Sequence, residues 1–260
     1  MRNCRLWSVF SKYIVRGKWC PGLLFFLALP VVAVVNVEGT RVVFNAGERV
    51  ASLNLINSGS TPALVQLWFD KGDIFTPPEN SQTPVIALPP VFRLQPGELK
   101  DVKLQLISYD KLPGDRESLY WLNIYQVPPN TVSPGSDKRV ILPLRLRMKV
   151  FIRPPALPSP LQADGKRLLF HLKNSSEKVV MMSNPTPWYM TLSALKARDQ
   201  TVDGIILSPG ENRELTLNEA IKPGKIQYDI INDNGNKWSY SSTLKYRNDV
   251  SLLSPLQGTP

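Results

Sequence analysis

The chain has 260 residues with 31 Lys+Arg against 21 Asp+Glu, a formal charge of +10, and 43% hydrophobic residues, which is a globular rather than a disordered composition. A single histidine and two cysteines leave no recognisable Ser-His-Asp, Cys-His or zinc-binding constellation, and neither a Walker loop nor a dinucleotide fingerprint occurs. These absences point to a binding protein without cofactor or metal, not to an enzyme.

The first 33 residues read as an address. Arg2, Arg5, Lys12, Arg16 and Lys18 precede an apolar run at 23–35 that contains Pro30, and no acid interrupts them. That run has 13 residues, short of the ~20 needed to span a bilayer. The pattern predicts a secretory signal peptide cleaved near Ala33, with no membrane insertion afterwards. Cleavage removes Cys4 and Cys20, so the mature chain has no disulfide and no thiol nucleophile. It also leaves 26 basic against 21 acidic side chains, a net +5 that argues against nucleic acid as a partner.

From residue 34 onward, apolar and polar residues alternate in short runs separated by turn signals. Strands are predicted over 40–44, 50–56, 63–69 and 102–107, with Gly, Pro, Asn and Ser clusters between them. Residues 153–160, Arg-Pro-Pro-Ala-Leu-Pro-Ser-Pro, carry four prolines that cannot serve a central ladder, so they form a stiff connector. Strands resume over 168–172, 179–182, 189–193, 213–217, 226–231 and 238–240. No helical periodicity persists beyond about two turns. The expected architecture is all-β, with one sandwich over 34–153 and a second over 154–260, whose strands end near 247 before a tail. His171 falls within an alternating strand and reads as an ordinary strand residue, as do Trp68, Trp121, Trp188 and Trp238.

Residues 139–153 form the most suggestive strand. Val140, Leu142, Leu144, Leu146 and Met148 line one face, and Ile141, Pro143, Arg145, Arg147 and Lys149 the other. Pro143 has no N–H for a ladder, so the strand belongs at an edge. An edge strand with large apolar side chains is a hazard that proteins normally suppress. Keeping one suggests a template for another chain's strand.

Residues 112–128 run Leu-Pro-Gly-Asp-Arg-Glu-Ser-Leu-Tyr-Trp-Leu-Asn-Ile-Tyr-Gln-Val-Pro. Their order resembles, position by position, the signature of the periplasmic pilus-assembly chaperones. The resemblance covers about residues 36–245. It implies two immunoglobulin-like sandwiches set at an angle around a cleft. It makes Val140, Leu142, Leu144 and Leu146 the donor strand that completes an unfinished pilus subunit, and it assigns Arg41 and Lys149 to the subunit's terminal carboxylate. It also implies an interdomain charge network of Lys103, Glu117 and Arg153, places Asp233 in a second-domain hairpin near the interface, and matches 184–189 to a second-domain turn. The implied partners are pilus subunits and an outer-membrane usher, in the periplasm, with dimerisation of the free protein through its donor strand left open. Two other secreted classes compete, a pilus subunit or adhesin and a carbohydrate-binding sandwich. Two complete sandwiches fit the first poorly, and tryptophans within alternating strands fit the second poorly.

Overall fold

The computed structural model describes residues 35–129, 142–173 and 176–246. The leader, its cleavage point, Val140 and the tail from 247 onward lie outside them.

Among the described residues, the first half holds nine strand segments: β1 Val35–Val37, β2 Arg41–Phe44, β3 Val50–Asn57, β4 Ala63–Asp70, β5 Val85–Leu88, β6 Val91–Leu94, β7 Leu99–Leu106, β8 Ser118–Val127 and β9 Leu144–Ile152. They form a four-stranded sheet, β1-β3-β7-β5, facing a five-stranded sheet, β2-β9-β8-β4-β6. The chain twice leaves one sheet for the other. β1 pairs with β3 whereas β2 pairs with β9, and β5 pairs with β7 whereas β6 pairs with β4. The second crossing occurs at Pro89 and Pro90, where missing N–H groups break the ladder. Alternation then places Phe44, Leu55, Val65, Leu104, Leu122, Ile124, Val150 and Ile152 in one buried core.

The second half contains β10 Leu169–Lys173, β11 Ser176–Ser183, β12 Met190–Ala197, β13 Gln200–Leu207, β14 Asn212–Thr216, β15 Gly224–Ile231 and β16 Lys237–Tyr246. These strands form a single ladder ordered β13-β12-β15-β16-β10-β11-β14. A two-residue parallel contact between β10 and β16 joins its two arms. The arms close on a shared core: Phe170, Leu172, Val180 and Met182 from one, Leu192, Leu195, Ile226 and Ile230 from the other. β13 falls outside the strand ranges expected from the sequence. Gly204 lies within this edge strand at φ 72°, a conformation open to glycine at little cost.

The two sandwiches are bonded directly. The Glu117 N–H donates to the Pro187 carbonyl at 2.9 Å, and Trp188 Nε1 donates to the connector carbonyl of Pro158 at 2.9 Å. Asn184, fully buried, shapes the turn that presents both. Its Nδ2 donates to the carbonyls of Trp188, Leu207 and Ser208.

Candidate functional site

Arg41 opens β2 and Lys149 lies opposite it in the parallel β2–β9 pairing. Paired positions share a face, so alternation sends Val42, Phe44, Val150 and Ile152 into the core and both cations outward. Arg41 reaches the cleft between the sandwiches, where its Nη1 donates to the Ile231 carbonyl at 3.0 Å and its guanidinium stands 5.7 Å from the Phe151 ring centre. The Lys149 ammonium sits 5.5 Å from the Trp121 ring centre. Neither cation has a carboxylate within 4.0 Å among the described residues. Burial lowers the Arg41 pKa, against the opposing pull of Asp233 and Glu117. Burial also lowers that of Lys149, and repulsion from Arg41 adds to it. Two partly desolvated cations therefore adjoin one another, with no carboxylate within 4.0 Å of either among the described residues, a site electrostatically suited to an anion.

Beneath them lies a buried ion network. The Arg153 guanidinium, 1% exposed, donates from Nε to Glu117 at 3.0 Å and from Nη1 and Nη2 to both oxygens of Asp233 at 2.9 and 2.8 Å. Its Nη1 also reaches Asn45 and Ser159, each at 3.0 Å. The second oxygen of Glu117 accepts from the Tyr189 N–H at 2.9 Å. One guanidinium thus ties the first sandwich, the connector and the second-domain hairpin together. Lys103 does not belong to this network. It lies exposed on β7 in the opposite sheet, paired with Ser52 and Leu88, and bridges to no acid among the described residues. Asp233 supplies the third ionic member instead, with Asn45 and Ser159 as neutral partners that nothing in the local sequence marked.

Burial pushes the Glu117 carboxyl from 4.5 up to about 7, against Arg153 and the Tyr189 N–H. The folded state therefore holds this proton more tightly than the unfolded chain does. The resulting stability is complete below about pH 4.5 and is lost as the pH rises through about 7. Glu117→Gln cannot titrate, so its melting temperature should fall less than the wild type's between about pH 5 and about pH 8. Equal slopes in parallel thermal melts would contradict this origin.

β9 pairs with β8 along its whole length but with β2 only over 149–152. Residues 144–148 thus expose an open edge among the described residues. Along the apolar face, burial falls off steadily. Met148 is 4% exposed in the core, Leu146 is half-buried against it, Leu144 is 40% exposed, and Leu142, just before the strand, is 76% exposed. Leu142 and Leu144 have no place in their own core.

The opposite face of β9 holds a set of contacts that the sequence did not reveal. Asp70, with its side chain fully buried, accepts from Arg147 at 2.5 Å, Asn123 at 2.7 Å and the Gly72 N–H at 2.7 Å. Arg145 donates to Asn123 at 2.8 Å, and the two guanidiniums lie 4.8 Å from the Trp68 ring centre and 4.7 Å from that of Trp121. These bonds pull the outward side chains back over β8 and β4, away from the open edge. Only the pairing of a lone acid on β4 with alternate arginines on β9 could have signalled them.

The fold and site define a two-sandwich protein with an open apolar strand edge beside a cationic cleft. Residues 34–158 match the pili and flagellar-assembly chaperones, PapD N-terminal domain, and 165–242 match the pili assembly chaperone PapD, C-terminal domain. The chaperone protein FimB/FhaD of Bordetella pertussis is 33% identical over 85% of this chain and 93% of its own. Among solved structures, the CupB2 chaperone of Pseudomonas aeruginosa is 30% identical, with a TM-score of 0.67 over 80% of this chain and all of that one. The SafB chaperone of Salmonella enterica, solved with the SafA pilin, is 25% identical, with a TM-score of 0.71 over 83% of this chain and 98% of that one. The chain belongs to the pilus-assembly chaperone family, whose members escort fimbrial subunits.

Proposed function

We propose that this chaperone works in the periplasm after removal of residues 1–33, that its sandwiches divide at about residue 153, and that it catalyses no reaction. It captures unfinished pilus subunits on the open edge of β9 and passes them to an outer-membrane usher. Leu142, Leu144 and Leu146, with Val140 upstream, enter the groove of the subunit. Arg41 and Lys149 take the subunit's terminal carboxylate through charge-assisted hydrogen bonds. The anchor lies at the carboxyl-terminal end of the open edge, so the subunit's last strand runs parallel to β9, ending at Lys149. Burying each apolar side chain is worth about 1.5–3 kcal/mol before ordering costs, and the carboxylate fixes which residues enter. The observation that carries this reading is an open apolar edge running into two cations that, among the described residues, have no carboxylate within 4.0 Å. The same edge, when free, offers a second copy of the chain a place to dimerise.

Co-expression of subunits with Arg41→Ala or Lys149→Ala tests the anchor. Recovery of the chaperone–subunit complex should fall at least about tenfold, since a hydrogen bond to a charged group is worth about 1.5–3 kcal/mol. Each variant should still melt as a folded protein, because the site is already short of negative charge. Wild-type recovery with either variant would rule the anchor out.

A further inference from the structure

The Arg41 side chain leaves the first domain, but the second domain holds its tip. Its Nη1 is bound by the Ile231 carbonyl at 3.0 Å. Ile231 ends β15, and the turn to β16 follows at once. That turn is stiffened by the Asn232 N–H donating to Asn236 O at 2.8 Å, the Gly235 N–H to Asn232 O at 3.0 Å and the Asn236 N–H to Asn232 Oδ1 at 2.9 Å. Asp233 ties the same turn to Arg153. Gly235 brings it against the residue preceding Arg41. A Cβ at 235 would lie 2.9 Å from Thr40 Oγ1 and 3.8 Å from Thr40 Cγ2. A Cβ at 235 would therefore force the Thr40 side chain to shift, and the backbone at φ 81° favours glycine as well.

We infer that the second domain's β15–β16 turn positions the carboxylate anchor, with Gly235 and the Ile231 carbonyl as its positioning residues. This rests on the reading of Arg41 as part of that anchor. The physical need is clear. Arg41 stands beside Lys149, which repels it, and its Nε is buried with no hydrogen-bond partner among the described residues. Without the carbonyl, the guanidinium would swing away from Lys149 towards water, and the two cations would no longer converge. Nη2 has no partner among the described residues and remains to meet the ligand. The second domain, which lends no strand, thereby decides whether the first domain's anchor is set.

The test uses the mature protein and a synthetic peptide of about ten residues, alternating valine and threonine, made with a free carboxyl terminus and as the amide. The carboxylate-to-amide affinity ratio, measured by calorimetry, reports the anchor alone. The wild type should prefer the carboxylate at least about tenfold, the ratio a charged hydrogen bond supplies. Gly235→Asn tolerates the positive φ but adds the Cβ, and should bring the ratio close to unity. Adding Thr40→Ala to it removes the colliding atoms and should restore the preference, which a general loss of stability could not do. Thr40→Leu crowds the same gap from the other side and should also abolish the preference, so a poorly folding Gly235→Asn still leaves a decisive variant. A wild-type ratio in folded Gly235→Asn or in Thr40→Leu overturns the inference, as does failure of Thr40→Ala to rescue. A wild-type ratio in Arg41→Ala strikes the anchor itself, separating the two failures.

Discussion

Replacing Arg153 by methionine should destabilise the folded protein by about 3–5 kcal/mol, the cost of breaking a buried pair from one side. Methionine fills most of the same volume, so the loss is electrostatic rather than a cavity. Glu117, 3% exposed, would keep only the Tyr189 N–H, and Asp233, whose side chain is one-third exposed, would lose both its guanidinium bonds. The penalty should depend on pH. Glu117 can escape an unpaired buried charge by taking up a proton, and without Arg153 its pKa rises further above the unfolded value. The destabilisation should therefore be smaller near pH 5 than near about pH 8, because the variant's folded state binds the extra proton across that window. Urea denaturation at both pH values measures this. A loss below about 1 kcal/mol, or one independent of pH, would show that the network adds little beyond neutral packing. The hinge should loosen too, since Arg153 reaches Asn45, Ser159 and Asp233 together, and small-angle scattering would register a broader distribution of shapes.

The sequence made the sandwiches and the connector legible because each rests on a local rule: a period of two and proline's missing N–H. Arg41 and Lys149 stood out only through the family resemblance. It hid whatever depends on two distant segments meeting. β1 and β5 are short, and the crossings beside them look like ordinary turns until the partner strands are known. The network shows the same limit. The resemblance implied Glu117, Arg153 and Lys103 together, yet only Glu117 and Arg153 meet in the fold. β7 belongs to the sheet opposite β8 and β9, so Lys103 faces water. Asp70 was missed because a single acid at the end of an apolar strand gives no hint of arginines 75 and 77 positions later. Their meeting is set by the β4-β8-β9 sheet order, a property of the whole fold. The second domain's contact with Arg41 lies deeper still, in the Ile231 carbonyl and the missing Cβ of Gly235.

Replacing Leu144 by glutamate should abolish recovery of subunits while leaving the chaperone folded and soluble. The donor reading places this side chain in an apolar groove of the client, where an uncompensated carboxylate costs several kcal/mol, more than the about 1.5–3 kcal/mol gained by the leucine. In the free protein the same carboxylate would meet water, because Leu144 is 40% exposed and Leu142 76% exposed. Leu142→Glu should therefore behave alike. Met148 supplies the contrast on the same face of the same strand. At 4% exposure it belongs to the chaperone's own core, so Met148→Glu should lower the melting temperature steeply and reduce soluble protein before any client is involved. Between them, half-buried Leu146 packs on that core, and Leu146→Glu should weaken both stability and capture. The four substitutions thus grade from client to chaperone along β9. Thermal melts of each purified variant, set beside the yield of co-expressed subunits, separate the two effects. If Leu142→Glu and Leu144→Glu melt well below the wild type yet capture subunits normally per folded molecule, the strand serves its own sandwich and lends nothing.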